Sequence, residues 1–121
     1  RMTSVLVTGA DRGIGLGLVR ALLKREEVGV VYATKLRDNN DKDLAAIGDA
    51  RLHIIEMDAR DDASIGAVEA KVRAAAQGKG LDVLINNAGV RIAYELDKPP
   101  KRKDIMEQLE VNAAAPLVIT Q

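Results

Sequence analysis

Short β-branched and aliphatic runs alternate with amphipathic helical stretches along this 121-residue chain, and that alternation leaves few folds open. Residues 4–8, 28–34, 52–57 and 81–85 are too short and too rich in Val, Ile and Leu for helices, and read as buried strands. Between them, residues 13–25 carry Ile14, Leu16, Leu18, Val19, Leu22 and Leu23 near helical spacing, with Lys24 and Arg25 placed to complement the helix dipole. Residues 61–76 repeat the pattern with Ile65, Val68 and Val72 behind Asp61 and Asp62, and residues 41–47 form a weaker, shorter helix. This order predicts an α/β fold with a parallel sheet and right-handed crossovers. The polar stretch 90–104, with adjacent Pro99 and Pro100, reads as a loop. A last helical pattern starts near Asp104 and carries Ile105, Leu109 and Asn112 along one side. No repeat or linker is visible, so residues 1–121 read as one domain.

Composition removes several classes of function. Eighteen Lys plus Arg balance eighteen Asp plus Glu, so no excess of positive charge favours DNA or an anionic membrane. With no Phe, no Trp and two Tyr, there is little material for stacking nucleic-acid bases. The absence of Cys excludes disulfides, zinc thiolate sites and a cysteine nucleophile, and no metal site is expected. Apolar runs such as residues 28–33 fall far short of the ~20 residues that span a bilayer. The opening RMTSVLVTG shows no secretory signal pattern, and a cytoplasmic location is expected.

The first strand runs directly into TGADRGIG, which places glycine at 9, 13 and 15. In an open parallel sheet, ligands bind beyond the carboxyl ends of the strands, and the first strand-to-helix turn meets phosphates. A side chain at Gly9 would hinder a tight exit from the strand. At Gly13 it would stand between the helix N-terminus and a pyrophosphate, and at Gly15 it would hinder close packing of helix on sheet. After the fourth strand, NNAG at residues 86–89 joins amides able to bridge neighbouring strands to small residues that let a ligand approach the backbone closely.

T-G-x-x-x-G-x-G followed by NNAG, in this order and spacing, resembles the short-chain dehydrogenases/reductases over essentially the whole chain. The resemblance implies a Rossmann-like, doubly wound parallel sheet, here its first four strands and flanking helices, and hydride transfer between a nicotinamide cofactor and a small-molecule carbonyl or alcohol. Within the family, ATKLRD and the long loop after NNAG look similar to carbonyl reductases of the sniffer-like and cell-signalling-factor kind. Relatives are often dimers or tetramers, so a homo-oligomer is expected. The implied cofactor-binding residues are Gly9, Arg12, Gly13, Ile14, Gly15, Lys35, Arg37, Asp58, Ala59, Asn87, Ala88 and Gly89. Asp58 resembles the residue that hydrogen-bonds the adenine amino group, with Ala59 near the ring. Asn112 matches the family's active-site Asn, which supports a water leading to the catalytic lysine.

An acid after the second strand would bind a ribose 2′-hydroxyl, whereas Arg there accommodates a 2′-phosphate. Here Lys35 and Arg37 occupy that region and Arg12 precedes Gly13, so NADP(H) is expected as cofactor. Asp38 leaves NAD(H) as the alternative. His53 reads as a packed or edge side chain of the third strand rather than a base.

The family's proton donor is a Tyr followed four residues on by Lys, with a Ser orienting the substrate. Tyr32 has Leu36 at that spacing, and Tyr94 has Lys98 but precedes Asn112, so neither fits. The chain therefore reads as the first half of a longer enzyme whose Ser and Tyr-x-x-x-Lys lie beyond Gln121. A non-catalytic NADP(H)-binding sensor and an association-only product stand as the alternatives.

Overall fold

Successive strand residues point to opposite faces, and in the central strands of this chain both faces are apolar. The computed structural model describes residues 2–121. Four strands, β1 (Thr3–Val7), β2 (Val28–Lys35), β3 (Leu52–Glu56) and β4 (Val83–Ile85), form one sheet of order β3-β2-β1-β4. Every pairing is parallel, with Val7 opposite Ala33 on one side and Ile85 on the other. Val5, Val7, Val31 and Ala33 enter one layer with Leu16 and Val19 of helix α1 (Gly13–Leu23) and Leu44 of α2 (Lys42–Ala45). Leu6, Tyr32 and Ile55 enter the other, with Ile65, Val68 and Val72 of α3 (Asp62–Ala76). This is the expected Rossmann-like arrangement. The chain's direction across the sheet reverses between β1 and β4, where such folds open their crevice.

Several boundaries differ from the sequence expectation for local reasons. Helix α1 ends at Leu23 rather than residue 25, because Lys24 N–H and Arg25 N–H bond back to Ala21 O and Leu22 O in a tightened last turn. Strand β4 begins at Val83 rather than residue 81. Asp82 joins β1 through Ser4 instead, its carboxylate accepting from Ser4 N–H at 2.8 Å and its own N–H donating to Ser4 Oγ at 3.0 Å. The last helical stretch starts at Arg102, because the carbonyl of Lys101 accepts from Asp104 and Ile105. It runs as α4 (Arg102–Leu109), a π-helical turn (Glu110–Ala114) and α5 (Ala115–Thr120). The π-helical turn contains Asn112, and such turns recur at functional sites. His53 is exposed on β3, with its ring 5.5 Å from that of Tyr32.

Candidate nucleotide-binding site

The crevice at the carboxyl ends of the strands is lined by eight of the residues singled out in the sequence: Gly9, Arg12, Lys35, Asp58, Ala59, Asn87, Ala88 and Gly89. Its floor is a junction between the glycine turn and NNAG. Thr8, 1% exposed, accepts at Oγ1 from the N–H groups of Asn87 (3.0 Å) and Ala88 (2.9 Å). In return the Asn87 side-chain amide donates to Thr8 O (3.1 Å) and Gly9 O (3.0 Å). One amide thus holds two carbonyls that leave β1 as the strand breaks. On the other flank Gly9 N–H donates to Thr34 Oγ1 (3.2 Å) and Ala10 N–H to Thr34 O (2.8 Å), so the turn is fixed to β2 as well.

The glycines allow this packing. Gly9 has φ +63°, and a Cβ there would lie 2.8 Å from Ala88 Cα. A Cβ on Gly15 would lie 2.2 Å from Gly9 O and 2.5 Å from Asn87 Nδ2, so the first turn of α1 rests on the junction itself. Gly13 differs, since a Cβ there would meet nothing within 4 Å. The space beside it is open, and no side chain caps α1, whose N-cap residue is Arg12. Uncapped first-turn N–H groups and a guanidinium at the same helix end suit an anion. Ile14, 78% exposed, and Gly13 flank this end without lining the crevice.

The basic residues behave differently from one another. Arg12 lines the crevice and has no acidic partner among the described residues. Arg37 has its side chain 84% exposed, with Nε 3.9 Å from Glu56 Oε2. Lys35 is 8% exposed, and its ammonium points into its own loop, donating to Asn39 O (2.9 Å) and Arg37 O (3.3 Å). Asp58 uses Oδ1 to accept from Arg60 N–H (2.9 Å), while Oδ2 has no partner among the described residues and can accept from an amino group. Arg60 also reaches Glu107 of α4 at 2.8 Å, tying the end of β3 to that helix.

Asn112 stands at the edge of the crevice, which its neighbour Val111 lines. Its amide donates to Val90 O and accepts from Val90 N–H, both at 2.7 Å. One donor and one acceptor of the amide are engaged in this way, and the side chain fixes the backbone after NNAG. Tyr94 and Lys98 lie outside the crevice, with Lys98 paired to Glu95 at 2.9 Å.

Thr8, Thr34, Asp11 and Asn39 belong to the site and were missed in the sequence. Thr8 sat within the quoted motif, but its cross-link depends on the adjacency of β1 and β4, which local pattern does not reveal. Asp11 is 7% exposed and accepts from Asn39 Nδ2 at 3.2 Å, a pairing between two loops with no local signal. Among the described residues no cluster of His, Cys, Asp and Glu is arranged to hold a metal, and no helix is long and apolar enough to cross a membrane.

The family model described as short chain dehydrogenase matches residues 3–121. Short-chain dehydrogenase RED3 of Pyricularia oryzae is 32% identical over the whole of this chain and 50% of its own length. Among solved structures, an NADPH-bound carbonyl reductase from chicken fatty liver superposes with a TM-score of 0.92 at 39% identity, covering 100% of this chain and 46% of that one. The carbonyl reductase Sniffer of D. melanogaster gives 0.90 at 28% identity, covering 99% of this chain and 50% of that one. The chain spans about half the length of these three relatives.

Proposed function

This chain belongs to the short chain dehydrogenase family, and on that premise we propose that it is the dinucleotide-binding half of an NADP(H)-dependent carbonyl reductase. The observation that carries the reading is Arg12, a guanidinium without an acidic partner among the described residues, at the uncapped N-terminus of α1 and lining the crevice. Its likeness to an NADPH-bound carbonyl reductase at 39% identity supports the same cofactor. NADP(H) fits the residues present. The open space beside Gly13 admits a pyrophosphate against the first-turn N–H groups. Arg12 and Arg37 take the 2′-phosphate, Asp58 Oδ2 accepts from the adenine amino group beside Ala59, and Ala88 and Gly89 form the floor for the nicotinamide ribose. When bound, the nicotinamide supplies or accepts a hydride.

The chain's own residues bind and orient. Asn87 and Thr8 hold the floor rigid, and Asn112 acts as a positioning residue by fixing Val90. A small carbonyl or alcohol is the substrate. The Tyr, Lys and Ser that would protonate and orient it belong, on this reading, to sequence following Gln121. A homo-oligomer belongs to the same reading, and the exposed apolar residues Ile105, Met106 and Leu109 on α4, with Leu117 and Val118 on α5, are open to cover by the rest of the longer protein or by a second copy. NADPH and NADH titrations of the full-length protein test the cofactor assignment. Arg12→Ala and Arg37→Ala should each weaken NADPH roughly tenfold or more and leave NADH nearly unchanged. Equal weakening of both cofactors would sink it.

A further inference from the structure

Lys35 is a buried cation that the cofactor assignment does not use. A lysine at the end of β2 reads as one more positive charge for a 2′-phosphate, yet its ammonium is already engaged. It donates to Asn39 O and Arg37 O, and Asp41 Oδ2 lies 3.7 Å away, so each of its three N–H bonds has an acceptor in its own loop or an acid beside it. Reaching a phosphate would leave those carbonyls without their donor. The loop so held turns back on itself through Asn39 N–H to Leu36 O (3.2 Å). It is then joined to the glycine turn by one side-chain bond, Asn39 Nδ2 to Asp11 Oδ2 (3.2 Å). Lys35, Leu36 and Asn39 line the crevice from one side and Asp11 and Arg12 from the other, so this bond closes the wall between them. It also engages an oxygen of the Asp11 carboxylate, the negative charge nearest Arg12 in sequence.

We propose that Lys35 is a positioning residue and Asn39 a latch. Together they hold the turn at 36–41 against the glycine turn so that Arg37, whose own carbonyl Lys35 grips, is presented to the 2′-phosphate. Preference for NADPH over NADH thus depends on two residues that do not touch the phosphate. The inference rests on the NADP(H) reading and names how its selectivity is built. It separates from a direct charge role because Asn39 is uncharged. Removing a latch loosens the wall, whereas removing a phosphate ligand leaves the wall in place.

The test uses the full-length protein with Lys35→Met, which keeps the aliphatic stem, and Asn39→Ala, a partly exposed position whose truncation spares the core. Amide hydrogen exchange at residues 36–41 is followed without cofactor, and Kd is measured for NADPH and for NADH. Both variants should speed exchange of the backbone N–H at position 39 and lower the NADPH preference by about fivefold to tenfold, and the double variant should lose no more than about the larger single loss. Loss of preference in Lys35→Met alone, with Asn39→Ala unchanged and the turn still protected, would overturn the proposal in favour of direct contact. A wild-type protein that binds NADPH and NADH alike would overturn the cofactor reading itself. Wild-type preference retained in both variants would overturn only the latch.

Discussion

Asn112 and Val90 form a two-point pair, with the side-chain amide of one meeting both the N–H and the C=O of the other at 2.7 Å. The pair joins the π-helical turn to the segment leaving NNAG, in the manner of a strand pairing made by one side chain. Asn112→Ala should cost about 1 kcal/mol of stability, since the freed groups are accessible to water. Exchange of the Val90 amide should quicken more than global unfolding accounts for. Asn112→Asp keeps the acceptor and loses the donor, so it should retain protection of Val90 N–H. Unchanged Val90 exchange in Asn112→Ala would show that the segment is held by other means.

Thr8 carries two backbone donors on one hydroxyl, those of Asn87 and Ala88. Thr8→Val keeps the shape and removes the acceptor at a site 1% exposed, leaving the Ala88 N–H without its acceptor and the Asn87 N–H with only its 3.1 Å bond to Ile85 O. A loss of about 1–3 kcal/mol in urea unfolding is expected, with Thr8→Ser recovering most of it. Little loss in Thr8→Val together with a larger one in Thr8→Ser would mean that the methyl group, not the hydroxyl, matters.

Gly15 and Gly17 lie two residues apart on the same helix and predict opposite outcomes. A Cβ at Gly15 would press on Gly9 O and Asn87 Nδ2, so Gly15→Ala should cost about 3 kcal/mol and disturb the junction. A Cβ at Gly17 meets nothing within 4 Å, and Gly17→Ala should stabilise the chain by about 0.5–1 kcal/mol through helix propensity. Thermal melts of the two variants decide this, and melting shifts in the same direction would contradict the packing described for α1.

Arg51 gathers the end of α1. Its guanidinium donates to Leu23 O, to Arg25 O at 3.2 Å and to Val28 O at 2.9 Å, and it pairs with Asp49 at 2.8 Å. Hydrogen bonds from the Arg51 side chain, then from its backbone N–H, hold the Asp49 carboxyl below the usual carboxylate range. A carboxyl lowered in the folded state contributes stability that is present above its unfolded pKa, about 4, and is lost as pH falls through the lower folded value. Asp49→Asn should therefore be less stable than wild type at pH 7, and the difference should shrink as pH drops below about 4. A gap of constant size between pH 7 and 3 would remove the ion pair as its cause.

The layers of the fold were legible because each strand and helix declares its apolar positions locally. Val5 and Val7 fall on one face and Leu6 on the other, as period-two reading requires. The glycine turn and NNAG were legible for a related reason, since close backbone approach leaves a mark in the sequence as missing side chains. Lys35 was legible as a cation near the crevice but not in its orientation, which depends on where the carbonyls of 37 and 39 turn. The pairing of Asn112 with Val90 and the latch from Asn39 to Asp11 were hidden because each joins segments whose nearness only the folded chain creates. The π-helical turn left one local mark, Pro116, which cannot donate to the carbonyl of residue 112, but a proline signals a disturbed helix without saying that the turn before it widens.

The Asn87 amide crosses 79 residues of chain to reach Thr8 O, whereas Gly9 finds Thr34 only 25 residues away. Contacts that close long stretches of chain come late when shorter ones are available. A ribosome that has delivered β1, β2 and β3 has therefore delivered a sheet whose glycine turn is held on one flank only. A nascent chain stalled before Asn86 should leave that turn open to a protease, and one stalled after the junction has docked should protect it. The crevice is in this sense dated by its chemistry, since the sheet can exist before there is anywhere for a nucleotide to bind.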